Sequence, residues 1–203
     1  MSNRIESIAV LETLYGAPHQ TSLDKETPVL NAAYRRLFQA CPFATLATLG
    51  PGGMDCSPRG DAPGFIRIID DRTLAIADRR GNNRLDTLRN IVEDGRIALL
   101  CMIPGWTETF RVNGTAHLST APDLLDSMAV NGTPPTSAIV IRIETLYFQC
   151  ARAVKRARLW EPEHFVAQSD LPSTGELIRS TIPEFDASDY DEKLQERQAQ
   201  TLY

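Results

Sequence analysis

Apolar residues near the start of the chain recur every three to four positions, which is the spacing of an amphipathic helix. This pattern predicts one helix over residues 4–15, ended by Gly16 and Pro18, and a second helix over residues 28–40. Thr27 followed by Pro28 is typical of a helix N-cap with proline at the first helical position. We therefore expect two helices before the first strand.

From residue 43 onward the pattern changes to short runs of β-branched and apolar residues, separated by turns rich in glycine, proline and aspartate. Strands are predicted over residues 43–49, 54–57, 65–69, 74–77, 97–103, 108–118 and 138–150. A helix is predicted over 84–91, and a shorter one opens at 121. Six or seven strands with only short helices between them favour a mainly β, antiparallel barrel over a parallel βαβ sheet.

For the two longest predicted strands, the sequence also indicates a break in one strand and the two faces of the other. The strand over 108–118 is broken at Asn113 and Gly114. In the last strand, alternation predicts one face formed by Val140, Arg142, Glu144 and Leu146. The opposite face is then formed by Ile139, Ile141, Ile143, Thr145 and Tyr147.

Length and composition suit one compact unit, since the chain has 203 residues of which 42% are apolar. We divide it into N-terminal helices over 1–42 that pack on the barrel, the barrel over 43–162, and a helical extension over 163–203. Residues 183–203 hold six acidic and two basic side chains, which predicts a solvated C-terminal helix. The net charge of −5 gives no overall attraction for nucleic acid or anionic membrane.

The four cysteines are far apart, with no histidine at ligand spacing, so no metal site is expected. No signal peptide is recognised, and the longest apolar run, over 97–103, is too short to span a bilayer. A cytoplasmic protein with reduced thiols is expected. The three histidines stand alone, and we expect incidental or packing roles for them.

Arginine dominates the cations, with 18 residues against 3 lysines. This bias is typical either of codon usage or of phosphate recognition by the guanidinium fork. Seven arginines fall between residues 57 and 89, set among turn residues. In the loop over 78–84, Gly81 and two asparagines allow sharp turns, and Asn83 is a competent N-cap for the helix that follows. Arginines beside free helix amides predict an anion site; the alternative is a salt-bridge network joining Asp78 to Arg79 or Arg80.

A second basic cluster, over 152–158, holds four cations and no acid. It indicates either a solvated basic helix or a basic lip over an anionic ligand, with Trp160 as a stacking surface.

Several motifs together resemble those of the pyridoxamine 5′-phosphate oxidase-like family. They are FATLATL at 43–49, GMDCSPRGD at 53–61, DRRGNNRLDTLRNI at 78–91, ETFRVNGTA at 108–116 and CARAVKRARLWEP at 150–162. The resemblance covers residues 28–162 in collinear order. It implies an FMN-binding split β-barrel of six to seven strands that forms a homodimer, with FMN at the subunit interface.

The resemblance also implies which residues hold FMN. Ser57 and Arg59 would face the flavin and its phosphate, Asn83 and Arg84 would grip the phosphate, and Asp78 and Arg79 would border the ribityl chain or ring. Polar contacts from a central strand would come from Thr109 and Arg111. Arg158 and Trp160 would approach from the partner subunit.

Two departures bear on the activity. The C-terminal arginine-and-histidine segment that holds the substrate in true pyridoxamine-phosphate oxidases has no counterpart here, and Arg152 stands where lysine is usual. Oxidation of pyridoxamine phosphate is therefore not expected. The sequence favours an FMN-dependent oxidoreductase acting on an unknown small molecule or electron donor, with no catalytic side chain assigned. A non-catalytic carrier or sensor for flavin or another cofactor, and a structural dimer with an empty barrel, stay open as alternatives.

Overall fold

A computed structural model of the chain describes residues 3–202; residues 1, 2 and 203, which belong to the predicted terminal segments, lie outside the described residues. The helices are α1 (Ile8–Tyr15), α2 (Gln20–Asp24), α3 (Ala32–Ala40), α4 (Asp86–Glu93), α5 (Pro122–Ser127), α6 (Arg152–Ala157), α7 (Thr174–Arg179) and α8 (Ala187–Gln200). The strands are β1 (Phe43–Gly50), β2 (Gly53–Gly60), β3 (Ile66–Ile68), β4 (Thr73–Asp78), β5 (Arg96–Met102), β6 (Thr109–Ser119) and β7 (Ser137–Gln149). Two 3₁₀ turns, Pro162–His164 and Gln168–Asp170, lie between α6 and α7.

All seven predicted strands are present and form one antiparallel sheet in the order β2-β1-β5-β6-β7-β4-β3. The sheet is curled. Four strands separate β2 from β4 in the sheet, yet Arg79 after β4 donates to Asp61 after β2. The predicted mainly β, antiparallel split barrel with flanking helices is confirmed.

The core fills the concave face of this curled sheet. Inward-facing residues alternate along β1 and β6, and Phe110 of β6 meets Phe38 of α3 edge-on, with ring centroids 5.1 Å apart. Helix α3 is tied to the end of β7, where the Phe148 amide donates to the Tyr34 hydroxyl over 3.1 Å. Burial raises the pKa of Tyr34, and the hydrogen bond from Phe148 opposes that shift.

The start of α3 differs from the prediction. The helix begins at Ala32, and its N-cap is Asn31, whose side chain accepts a hydrogen bond from the Tyr34 amide. Thr27 is instead extended, because its amide and carbonyl both pair with Leu146 of β7. A pairing with a distant strand outweighs the local Thr-Pro signal.

The predicted faces of β7 are wrong beyond Glu144. The ladder between β6 and β7 shifts between Asn113 and Gly114, so Glu144 is an extra, unpaired residue. One extra residue reverses the alternation, and Leu146 is fully buried instead of lying on the face of Arg142. Gly114 permits this bulge, because a Cβ there would lie 2.0 Å from the Arg142 carbonyl oxygen.

The terminal helices differ in how they pack. Helices α1 and α2 bury none of their residues, whereas α3 contacts β3. At the other end, the predicted C-terminal helix is present as α8, which packs on α7. Asp191 of α8 accepts from the Gly175 amide over 2.8 Å and from the Ser173 hydroxyl over 2.5 Å. Within residues 3–202, none of the helices combines the length and the apolar character needed to cross a membrane.

Candidate functional site

A cavity of about 950 Å³ lies where the ends of β2 and β4 meet. Its walls are the end of β2, the end of β4 with the loop that leads into α4, and the segment 133–137, which leads into β7. Six of the ten predicted cofactor-binding residues line it: Ser57, Arg59, Asp78, Arg79, Asn83 and Arg84. Arg59 and the arginines of the loop over 78–84 therefore line the same cavity.

The inner face of β2 supplies the first wall. Ser57 pairs with Leu46 of β1, and Arg59 pairs with Ala44, and both β1 partners are fully buried. Residues opposite each other in a ladder share a face, so Ser57 and Arg59 continue the core-facing rows to the end of the barrel.

Arg59 is incompletely satisfied there. Its Nη1 donates to the Pro58 carbonyl over 2.8 Å, but its Nε is buried without a hydrogen-bond acceptor among the described residues. An unsatisfied buried donor costs about 1–3 kcal/mol, and a charged one more. Such a group next to a cavity needs an acceptor from a water, an ion or a ligand.

Strand β4 supplies an acidic group to the same cavity. Asp78 ends the inward row formed by Leu74 and Ile76. Burial raises the pKa of the Asp78 carboxyl, and the positive charge of Arg59 opposes the shift. The next residue, Arg79, donates through Nε to Asp61 over 3.0 Å.

The loop into α4 differs from the prediction in one respect, since Asn83 is not the N-cap. Asn83 and Leu85 both have left-handed backbone, with φ of 58° and 61°, and Leu85 occupies the cap position without a side-chain cap. The Arg84 amide donates to Asn82 Oδ1 over 3.1 Å, and this local turn delays the helix to Asp86. Left-handed conformation at a non-glycine residue is costly and often marks a ligand-binding loop.

Ion pairs account for part of this loop, but their partners differ from the predicted pairing of Asp78 with Arg79 or Arg80. Arg84 forms an ion pair with Asp86, but its side chain is 78% exposed, so the pair contributes little. Arg79 pairs with Asp61, as above. Neither of these two ion pairs supplies an acceptor to the buried Nε of Arg59.

Thr109 and Arg111 lie elsewhere. Arg111 pairs with Leu100, Leu100 with Thr45, and Thr45 with Pro58, so Arg111 is on the outer face of the sheet. Thr109 shares that face, two residues before it.

Arg111 has partners on that outer face. Its guanidinium lies 5.1 Å from the centre of the Tyr147 ring. With the Gln149 amide turned so that its oxygen faces Arg111, Nη2 and Nε donate to that oxygen over 2.9 and 3.0 Å. One copy of the chain therefore does not bring Arg111 to the ligand cavity that Arg59 lines.

Arg158 and Trp160 are also outside the cavity. Arg158 ends α6 in a left-handed conformation and donates to Glu161 over 2.6 Å. Trp160 donates through Nε1 to the Trp106 carbonyl over 2.9 Å. The basic cluster around them is the helix α6, in which only Val154 is buried.

Several residues in the cavity wall or next to it were not predicted from the sequence. Asp55 accepts from Ser57 and from Thr87 of α4, and it shares the inner face of β2 with Ser57 and Arg59. The alternation of polar residues at 55, 57 and 59 was the available signal. The segment 133–137, TPPTS, also lines the cavity. Its run of turn residues after Gly132 was the sequence signal that could have revealed it.

The cavity combines two chemistries. Four arginines and three aspartates line it: Arg59, Arg79, Arg80, Arg84, Asp61, Asp78 and Asp86. Apolar walls come from Phe65, Ile76 and Leu88. The arginines and the apolar walls together suit a ligand that is anionic at one end and apolar at the other.

Comparison with known proteins places the chain. A family model described as pyridoxamine 5′-phosphate oxidase matches residues 30–150. Among curated protein sequences, no relative matches.

Solved structures give weaker likenesses. HupZ from Group A Streptococcus is 19% identical, with a TM-score of 0.48, over 58% of this chain and 91% of that one. A protein from Clostridium acetobutylicum related to general stress protein 26, of the pyridoxinephosphate oxidase family, is 10% identical, with a TM-score of 0.45, over 58% and 85%. Since these TM-scores are below 0.5, the family assignment rests on the family model.

Proposed function

The chain belongs to the pyridoxamine 5′-phosphate oxidase family, and from this premise we propose that it binds FMN and acts as a flavin-dependent oxidoreductase on a small molecule. FMN joins a phosphate of nearly two negative charges to a flat, largely apolar ring. The cavity offers arginines and apolar walls to match these two parts. When bound, FMN supplies the redox chemistry, and the protein positions and shields it.

One observation carries the proposal: the buried Nε of Arg59, which has no acceptor among the described residues. Because Nε is closed to solvent, the guanidinium must shift toward the cavity for a phosphate oxygen to accept from it and form a charge-assisted hydrogen bond. Arg79 and Arg84, held from the other side of the cavity, add positive charge around the same position. Asn83 lies between Arg79 and Arg84 in the same loop, and its left-handed backbone helps to shape that loop.

An ionised Asp78 would repel a phosphate in the cavity, and the raised pKa of its carboxyl narrows the pH range in which it is ionised. Because its carboxyl has a raised pKa, it keeps its proton to higher pH than an ordinary aspartate does. A protonated Asp78 also donates a hydrogen bond, so the same residue can contact an anionic or polar group of the ligand.

The proposal includes a homodimer. Thr109, Arg111, Arg158 and Trp160 do not line the cavity of their own chain, and Arg111 faces away from it. In a two-fold dimer, these residues of one copy can approach the cavity of the other. Six apolar side chains of the N-terminal region are exposed, which suits a buried surface between copies: Ile5, Ile8, Val10, Leu11, Leu14 and Tyr15. We also propose a cytoplasmic location, where the four free cysteines stay reduced.

The first test is spectroscopic. The purified protein is examined for flavin absorbance, and the apoprotein is titrated with FMN and with riboflavin, which lacks the phosphate. We expect FMN to bind more tightly than riboflavin; binding of neither flavin contradicts the proposal. Stopped-flow mixing with NADH or NADPH then tests turnover. If no common reductant bleaches the bound flavin, the result favours a non-catalytic carrier or sensor over an enzyme.

The dimer is tested by mixing variants. Arg59→Met and Arg111→Met each weaken FMN binding in their own homodimers if both arginines serve one site. In mixed dimers one site recovers both arginines, so about a quarter of all sites regain native affinity after random exchange. Absence of recovery, or full native affinity of Arg111→Met alone, refutes the shared site.

A further inference from the structure

The hydroxyl hydrogen of Ser57 is already committed inside the protein. Ser57 Oγ lies 3.1 and 3.0 Å from the two carboxylate oxygens of Asp55, two residues earlier on the same face of β2. A carboxylate accepts hydrogen bonds and does not donate them, so the hydroxyl of Ser57 is the donor.

Thr87 fixes Asp55 in place. Its hydroxyl, buried at the start of α4, donates to Asp55 Oδ2 over 2.5 Å. Next to it, Asn90 donates to the Thr48 hydroxyl over 3.1 Å. The carboxylate is therefore held between β2 and α4, and its two oxygens are turned toward hydroxyl groups of the protein.

We infer that Ser57 recognises a hydrogen-bond donor on the ligand, which for a flavin is the ring imide N–H or a ribityl hydroxyl, and not the phosphate. Ser57 lines the cavity, and with its hydrogen directed to Asp55 it presents only oxygen lone pairs to a ligand. A phosphate oxygen there would face those lone pairs and the negative charge of Asp55 as well.

This assignment orients the ligand along β2. Asp55, Ser57 and Arg59 follow each other on one face, about 6–7 Å apart at each step. The strand thus presents an acceptor at Ser57 and an unsatisfied cationic donor at Arg59. The inference rests on the proposed function, and it places the phosphate at the Arg59 end of this row and the rest of the flavin over Ser57.

The test compares two ligands on three variants. Ser57→Ala removes the acceptor, and Asp55→Asn allows an amide to donate to Ser57, which would turn the hydroxyl outward as a donor. Cys56→Ala is the matched control, because Cys56 is exposed on the opposite face of the same strand. Dissociation constants for FMN and for riboflavin are measured by quenching of flavin fluorescence, and circular dichroism checks the fold.

We expect Ser57→Ala to weaken FMN and riboflavin by the same factor, about two- to twelve-fold for one neutral hydrogen bond. Asp55→Asn should weaken both flavins as well, and Cys56→Ala should change neither. The inference is overturned if Ser57→Ala affects FMN alone or neither flavin, or if Asp55→Asn tightens FMN selectively. Failure of the native protein to bind any flavin is a different outcome, because it refutes the proposed function and this inference together.

Discussion

Replacement of Arg59 by methionine gives the sharpest test of the site, because FMN binding should weaken while the stability of the apoprotein should not fall. Methionine keeps an unbranched side chain that reaches about as far as arginine Nε but has no donor. If Arg59 Nε binds the FMN phosphate, its loss removes at least one charge-assisted hydrogen bond, about 1.5–3 kcal/mol. That corresponds to an FMN dissociation constant about 12- to 160-fold higher.

The stability of the apoprotein should not fall. In the native chain the buried Nε has no acceptor, which costs about 1–3 kcal/mol, and the substitution removes that cost. Against this stand one lost hydrogen bond, from Nη1 to the Pro58 carbonyl, and the lost attraction to Asp78. Since these effects have opposite signs and similar size, we expect an unchanged or slightly higher Tm for the apoprotein.

The assay pairs thermal unfolding of the apoprotein with titration of FMN and riboflavin. Arg59→Lys keeps the charge without the fork and should retain part of the preference for FMN. Arg89→Met is the matched control, since Arg89 is exposed on α4 and does not line the cavity. A clearly lower Tm with unchanged FMN affinity would mean that Arg59 serves the fold and that the phosphate lies elsewhere.

Three further substitutions have defined outcomes. Arg84→Ala should weaken FMN by about 1.5 kcal/mol, the low end for a charge-assisted contact because its side chain is 78% exposed, and leave riboflavin unaffected in the same titrations. Asp78→Asn should raise Tm near neutral pH and tighten FMN. Because the folded pKa of Asp78 is raised, the stability gain should shrink as pH falls through that raised pKa and be gone below the ordinary aspartate pKa of about 4, in a series of melting curves. Gly114→Ala should lower the free energy of unfolding by about 1–3 kcal/mol in a urea titration, since the added Cβ would overlap the Arg142 carbonyl oxygen. Gly52→Ala is the control and should cost far less, because a Cβ there would lie in open space.

The strands and their antiparallel arrangement could be predicted from the sequence because each depends on local information. A strand is recognised from the alternation of apolar residues over a few positions, and a hairpin from the turn residues that follow. The turn residues over 50–53 are an example, since the structure has a hairpin there that joins β1 to β2. The two helix starts could not be predicted in the same way. Thr27 is drawn into a pairing with Leu146, more than a hundred residues away, and the start of α4 depends on a left-handed Leu85.

The composition of the site was predictable in part for the same reason. Ser57, Arg59 and Arg84 stand in turns and strand ends whose residue types indicate anion binding, and the fold brings them to one cavity. The face on which Arg111 lies depends instead on a register that runs through β1 and β5. One bulge or one shifted pair reverses such an assignment, as Leu146 illustrates, so spacing in the sequence does not decide it.

The cavity links the binding of an anion to the protonation of Asp78. Two rows of the barrel core end in charged side chains at the same opening, Arg59 on β2 and Asp78 on β4, and both are partly desolvated. In the absence of a ligand, Asp78 is a counter-charge to Arg59, and the positive charge of Arg59 partly offsets the desolvation of Asp78. A phosphate that binds Arg59 takes over that role and leaves Asp78 buried beside added negative charge, which favours its protonated form. The affinity for FMN should therefore fall as pH rises through the pKa of Asp78, and the same residue that lowers the stability of the empty fold tunes how tightly the anion is held.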